Sequence, residues 1–142
     1  VALAVQCGRQ MQREAENEVR RLGLPGMHNG PGDALKHCVG LFKMEVHCPS
    51  GTSWLANLHE WTSWFGRYGP VKQEGRMDLH NNAEGRGCGR FVCFGPETIS
   101  SDSPSSVIRT ARGRWEGRSC LACCRQRLRA GKLILLPRQD WD

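Results

Sequence analysis

The chain has 142 residues, of which 39% are hydrophobic, and it contains five tryptophans. This length is enough for one domain with its own core, and the composition argues against intrinsic disorder. No apolar run approaches the roughly 18 residues of a membrane-spanning helix, so we expect no integral membrane segment. The net charge of +6 is concentrated in residues 105–138, which hold nine basic residues and a single acid. This basic stripe favours an anionic partner, whether nucleic acid, anionic lipid or an acidic protein, although it also fits a solvated helix face.

Helical spacing dominates the first half of the chain. Residues 2–22 are rich in Gln, Glu, Arg and Met, which favour helix. Asp33 follows Pro31-Gly32, and we expect it to be the N-cap of a second helix that ends near residue 47. Trp and Leu recur at steps of three and four over residues 53–65, which predicts a third helix that faces the core.

The second half gives weaker and more varied signals. Its only strand-like run is at residues 132–136. The predicted elements are, in chain order, a loop at 66–76, a polar segment at 77–86, a short helical or extended piece at 87–94, an exposed loop at 95–105, two short helices at 106–115 and 119–129, and the strand at 132–136.

These elements predict a mainly α protein, a single compact helical domain with at most a small β-sheet or hairpin. Residues 1–142 would form one unit, with an N-terminal helix at 1–24, a motif-bearing core at 30–90 and a basic C-terminal segment at 105–138. Because the chain begins at Val1 rather than Met, we expect that it was cut from a longer precursor or trimmed.

The cysteine content indicates disulfide stapling. The number of cysteines is even, and their density is well above that of most cytosolic proteins. Both observations favour an oxidising compartment outside the cytoplasm. Buried free thiols are one alternative, and a structural zinc site that uses the Cys120-x-x-Cys123-Cys124 run is another. The eight cysteines are Cys7, Cys38, Cys48, Cys88, Cys93, Cys120, Cys123 and Cys124.

Three groups of residues could carry chemistry. Asp33 and His37 are four residues apart, so they share a helix face, where a carboxylate can orient an imidazole or the two can hold a metal. His59 and Glu60 interrupt the apolar third helix. The third group is a polar cluster in the segment 77–86, namely Asp78, His80, Asn81, Asn82 and Arg86. The alternatives are an N-cap beside an incidental His, and a polar turn that caps a helix near Ala83.

In this order the motifs resemble a bacterial family of toxin-like C-terminal domains, the last modules of secreted polymorphic toxins. The family has an Asp-x-x-Arg-His helix, a His-Glu helix and an Asp-x-x-Asn-Asn-x-x-Gly-Arg segment, and the match covers about residues 30–90. Lys36 stands where the family usually has Arg, and Cys38 where a small or aromatic residue is usual. The resemblance implies a toxin that is neutralised by a cognate immunity protein of the producing cell.

The residue types favour hydrolysis by acid–base groups, with or without a divalent metal ion. The chain has no Gly-x-Ser-x-Gly, P-loop or Gly-x-Gly-x-x-Gly motif, so a serine elbow and a nucleotide cofactor are not expected. We expect His37 to act as the base with Asp33 orienting it, and Glu60 or Asp78 as a second acid or ligand. Arg86 would stabilise an anion. The predicted catalytic set is Asp33, His37, His59, Glu60, Asp78, His80, Asn81, Asn82 and Arg86, in one cleft between the second and third helices and the segment 77–86.

Two enzyme classes and one binding class remain open at this point. The first is an envelope hydrolase that acts on peptidoglycan or phospholipid and works in the periplasm of a target cell, where disulfides persist. A disulfide-bridged helical domain with a helix-borne His and Asp also resembles secreted phospholipases A2, although Cys38 stands where these have Asp after the His. The second is a nuclease toxin, which the basic stripe favours. The third is a binding or pore-forming module without catalysis.

Overall fold

A computed structural model describes residues 2–64, 70–94, 107–109 and 115–141, and the side chains at 59–72 and 89–120 lie outside this description. Within the described part the protein is mainly α, as the sequence predicts, with one small antiparallel sheet. The elements are α1 (Ala2–Arg20), α2 (Pro31–His47), α3 (Thr52–Trp64), α4 (Pro70–Phe94), β1 (Val107–Arg109), β2 (Trp115–Gly117), α5 (Arg118–Arg129) and a 3-10 helix (Arg138–Asp140).

Helix α2 packs against each of the other four described α-helices. Its apolar residues recur at helical spacing, and Leu35, Val39 and Phe42 are fully buried. Val19 of α1 and Leu133 of the C-terminal segment complete the same core cluster. A helix that is buried on most sides fixes its polar side chains firmly, because few rotamers fit a close-packed interior.

The start of α2 differs from the prediction at Asp33. The N-cap is Gly30, and Pro31 occupies the first helical position, where its missing N–H costs nothing. Asp33 therefore lies in the first turn, and its Oδ2 accepts a hydrogen bond from the backbone N–H of Asn29 at 2.8 Å. A carboxylate there is also favoured by the positive end of the helix dipole.

Helix α4 joins three segments that the sequence predicts as separate elements, and of these only the loop is wrong in type. The predicted loop at 66–76, polar segment at 77–86 and short piece at 87–94 fall, from residue 70 onward, in one continuous helix, while residues 65–69 lie outside the described part. Asn and Gly disfavour helix interiors, but packing against α2 outweighs this preference. At Gly85 the two helices approach so closely that a Cβ atom would lie 2.9 Å from the Cα of Cys38.

Disulfides staple the helices together, as the cysteine count predicts. Cys7 pairs with Cys48, Cys38 with Cys124, and Cys88 with Cys123. The first bridge ties α1 to the end of α2, and the other two tie α5 to α2 and α4. The side chains of Cys93 and Cys120 lie outside the described residues.

Two predictions for the C-terminal region are wrong. Residues 107–109 form strand β1, where a helix was predicted at 106–115, because β-branched Val107 and Ile108 favour extended backbone. The predicted strand at 132–136 has no partner strand among the described residues, since side chains and loops satisfy its backbone. The Asn81 amide pairs with both backbone groups of Ile134, and Leu136 donates its N–H to the carbonyl of Asn29. The predicted loop at 95–105 lies outside the described part.

Candidate active site

A cluster of polar side chains forms where α2 faces α4. The Nε2 atom of His37 lies 3.5 Å from Oδ1 of Asp33 and 3.2 Å from Oδ1 of Asp78. Asp33 and His37 are one turn apart on α2, and Asp78 and Asn82 are one turn apart on α4, so both pairs project from single helix faces. We call Asp33, His37, Asp78 and Asn82 the His–Asp cluster.

The other ring nitrogen of His37 faces an amide. Nδ1 lies 3.0 Å from Oδ1 of Asn82, and the Nδ2 of Asn82 donates to Oδ1 of Asn57 on α3 at 3.1 Å. Because an amide oxygen only accepts hydrogen bonds, this contact is a hydrogen bond when Nδ1 of His37 carries the proton. The remaining nitrogen, Nε2, then either holds a second proton, which it can donate to a carboxylate, or carries a lone pair beside the two carboxylates.

Each of these states has a chemical use. A doubly protonated imidazole would neutralise part of the negative charge of Asp33 and Asp78. A neutral imidazole would leave an acceptor nitrogen and two carboxylates around one point, an arrangement that can accept a proton from water or hold a cation. The side chain of His37 is 15% exposed and that of Asp33 is 4% exposed, so solvent screens their interactions only weakly.

Lys36 adds a positive charge on the same side of α2. Its Nζ lies 2.9 Å from Oδ1 of Asp33, the same oxygen that faces His37. The Lys36 side chain is 27% exposed, and its ammonium group also lies 3.5 Å from the carbonyl of Met27. Asp33 therefore makes contacts on both carboxylate oxygens, which holds its orientation.

Arg86 is one turn beyond Asn82 on α4 and binds a different acid. Its Nε lies 3.2 Å from Oε1 of Glu45, which also accepts a hydrogen bond from the hydroxyl of Ser53. Arg86 thus links α4 to α2 and α3 beside the His–Asp cluster, and the described contacts do not join it to His37.

His80 and Asn81 do not face the cluster. Adjacent helical residues project about 100° apart, and these two turn toward the C-terminal segment. The Nε2 atom of His80 lies 2.7 Å from the carbonyl of Lys132, while Asn81 pairs with Ile134. Asn81 is fully buried, so its contacts are structural ones. His59 and Glu60 belong to α3, and their side chains lie outside the described residues.

Two cavities adjoin the cluster. One of about 210 Å³ is lined by Lys36 and His37 together with Gln12, Glu16, Gly40 and Leu41. The other, of about 230 Å³, reaches Asn82 and is lined mainly by small and apolar residues of α1, α2 and α3, namely Ala4, Val5, Gly8, Met44, Thr52, Leu55 and Ala56, with Arg9 and Gln12. Gln12 lines both, so the cavities are neighbours along α1.

The sequence reasoning missed Asn57, which orients Asn82. A signal was present, because Asn57 is a polar residue within the apolar third helix, next to Leu58. It also missed Glu45 and Ser53 as the partners of Arg86. The sequence gives no sign of this pairing, because it depends on how α2, α3 and α4 pack.

Comparisons with protein-family models, with characterised proteins and with solved structures gave no significant match to this chain. Among the described residues, no helix combines the length and the apolar character that crossing a lipid bilayer requires. The site's own geometry therefore carries the functional argument.

Proposed function

We propose that this domain is a secreted antibacterial toxin, a hydrolase that attacks phospholipid in the envelope of a target cell. The observation that carries the proposal is the position of His37 between two carboxylates, with its second nitrogen held by Asn82. An imidazole that lines a cavity, with two carboxylates close to its Nε2, forms a centre that can activate water. The toxin context rests on the motif resemblance, and three disulfides support work outside the reducing cytoplasm.

The cavity next to Asn82 favours phospholipid over peptidoglycan. Its lining residues are largely apolar, which suits an acyl chain better than a glycan or a peptide stem. Arg9 on its wall offers a positive charge for a phosphate group. Helices α1 and α3, which line this cavity, also expose Leu3, Val5, Trp54 and Leu58 to solvent. Exposed apolar and Trp side chains of this kind insert into a membrane interface.

The test is hydrolysis of defined lipids by purified, disulfide-bonded protein. Vesicles of phosphatidylethanolamine and phosphatidylglycerol are incubated with the protein, and released fatty acid is measured by mass spectrometry. His37→Ala and Asp78→Asn should each lower the rate by about 10²–10⁴-fold, the usual contribution of an acid–base group. His47→Ala is the matched control, because His47 lies exposed at the end of the same helix.

Other substrates give distinct outcomes in the same assay. If the lipid stays intact and purified cell-wall sacculi release soluble fragments, the substrate is peptidoglycan and not phospholipid. Intact lipid and intact sacculi, with degraded plasmid or RNA, would establish the nuclease alternative that the basic stripe favours. Arg127 of that stripe is bound to Glu84 and to Cys88, so it serves the fold rather than a nucleic-acid surface.

A cognate immunity protein is the proposed partner. The exposed basic residues of the described C-terminal region include Arg129, Lys132 and Arg138. An acidic surface on the immunity protein would associate quickly with them, because complementary charges steer encounter. Raising the salt concentration should then slow association, as measured by surface plasmon resonance. A salt-independent rate would place the contact elsewhere.

A further inference from the structure

The His–Asp cluster has the composition and spacing of a metal site. We propose that Asp33, His37 and Asp78 bind one divalent transition-metal ion through two carboxylate oxygens and the Nε2 of the imidazole. This site goes beyond the proposed hydrolysis, because ion binding is measured without any substrate. If both proposals hold, His37 is a metal ligand and not the group that accepts the proton of water.

The three ligand atoms lie close enough to share one ion. Oδ1 of Asp33, Oδ1 of Asp78 and Nε2 of His37 are all within 4.8 Å of one another. The two nitrogen–oxygen distances are 3.5 and 3.2 Å. Ligands at about 2.0–2.2 Å from a zinc ion in tetrahedral geometry are separated by about 3.3–3.5 Å. These two nitrogen–oxygen distances therefore already fit ligands that share one ion.

The partner of Nδ1 is an independent indication. Histidines that bind a metal usually donate their other N–H to a carbonyl or carboxylate, which fixes the ring and the tautomer. Asn82 provides such an acceptor for His37, it is 1% exposed, and Asn57 holds its amide group. With Nδ1 protonated, the neutral ring has its lone pair on Nε2, the nitrogen that lies 3.5 Å from Asp33 and 3.2 Å from Asp78.

The donor set selects the class of metal. Mg²⁺ and Ca²⁺ favour sites made of oxygen ligands, whereas an imidazole with carboxylates suits Zn²⁺, Mn²⁺ and related ions. Three protein ligands leave at least one coordination position for solvent, and His37 lines a cavity of about 210 Å³.

Lys36 allows a test of the metal site that leaves all three ligands in place. Its ammonium group lies 2.9 Å from the Asp33 oxygen that would bind the metal, so the two cations compete for one oxygen. Lys36 is partly exposed and lines the cavity, so its flexible side chain can turn to solvent. Removing its charge by Lys36→Met should strengthen metal binding, whereas a merely structural role of the cluster predicts no such gain.

Isothermal titration calorimetry on the full, oxidised chain tests the proposal, with Zn²⁺ and Mn²⁺ as probes and Mg²⁺ and Ca²⁺ as comparisons. We expect one saturable transition-metal site and a melting temperature that rises with ion concentration. Asp78→Asn, which is nearly isosteric, and His37→Gln should each weaken binding by more than about 100-fold. Asn82→Ala should weaken it by about 10–100-fold as a positioning residue, and His47→Ala should leave it unchanged.

Reductant must be absent, because Cys38, Cys88 and Cys124 also lie within 4.8 Å of one another and would bind zinc as free thiols. Binding that appears only after reduction, or that persists unchanged in both Asp78→Asn and His37→Gln, overturns the proposal, as does the lack of any binding. Circular dichroism shows whether each variant is folded, and Lys36→Met tests the site without removing a ligand. A protein that binds zinc and leaves lipid intact would keep this inference and reject phospholipid as the substrate.

Discussion

The contact with Asn82 bears on where the imidazole of His37 carries its proton. The amide oxygen of Asn82 can accept a hydrogen bond from Nδ1 but cannot donate one. The neutral form of His37 is therefore expected to carry its proton on Nδ1 and its lone pair on Nε2. Two-dimensional ¹⁵N–¹H NMR of protein labelled in histidine distinguishes the two nitrogens by their chemical shifts. Finding the proton on Nε2 of the neutral ring would contradict this assignment and weaken the argument for a metal site.

The same residue supports a variant test of positioning. Asn82→Ala removes the acceptor from Nδ1, whereas Asn82→Asp keeps an acceptor oxygen in place. Asn82→Ala should lower lipid hydrolysis by about 10–100-fold, the usual loss when the group that orients a ligating or catalytic His is removed. Asn82→Asp should retain more activity than Asn82→Ala. Equal losses in two folded variants would indicate that packing at this position, and not the hydrogen bond, matters.

At the scale of elements, the helical state of residues 78–82 determines which polar residues meet. Asp78 and Asn82 are four residues apart, so they lie on the same face only if the segment is helical. As a polar turn, the same residues would have no fixed common face, and so His80 and Asn81 entered the predicted site with the others. The pairing of Asp33 with His37 could be predicted because the apolar spacing of α2 is unambiguous.

Helix α4 was not predictable in full, because its local sequence opposes helix. Asn81, Asn82, Gly85 and Gly87 are poor helix formers, and single-residue preferences place a turn or loop here. The helix forms because Gly85 lets α4 approach the backbone of α2 and because Asn81 binds Ile134, a residue 53 positions away. Contacts between residues so far apart in the sequence cannot be predicted from local residue preferences.

The close approach of α4 to α2 predicts a sharp difference between two glycine substitutions. In Gly85→Ala the new Cβ would lie 2.9 Å from the Cα of Cys38, so one helix must shift, at a cost of about 1–3 kcal/mol. Gly87→Ala is the matched control, because its Cβ would meet only the Arg127 side chain, at 3.6 Å. Thermal unfolding should show a melting temperature about 3–10 °C lower for Gly85→Ala. Gly87→Ala should be neutral or stabilising, and equal destabilisation of both variants would contradict the close contact.

At the scale of the whole molecule, the disulfides hold helices that are far apart in sequence. The bridge between Cys7 and Cys48 spans 41 residues, and loop closure of that length contributes about 4 kcal/mol to the free energy of unfolding. Replacing both cysteines by Ser should therefore lower the melting temperature by about 12 °C in calorimetry. A change of under 2 °C would mean that burial of α1 against α2 alone fixes the N-terminal helix.

Dependence on disulfides also separates the compartment in which the protein folds from the compartment in which it acts. Toxicity seen only after export to the periplasm could arise because the reducing cytoplasm prevents the three bridges from forming, whatever the substrate. Expression in a strain with an oxidising cytoplasm removes that ambiguity. The proposed phospholipid hydrolase should then be most toxic on export, should release fatty acid, and should lose both effects in Asp78→Asn. A nuclease would kill the oxidising strain without export and degrade its nucleic acid. Equal killing by Asp78→Asn and the parent chain would show that toxicity does not pass through the His–Asp cluster.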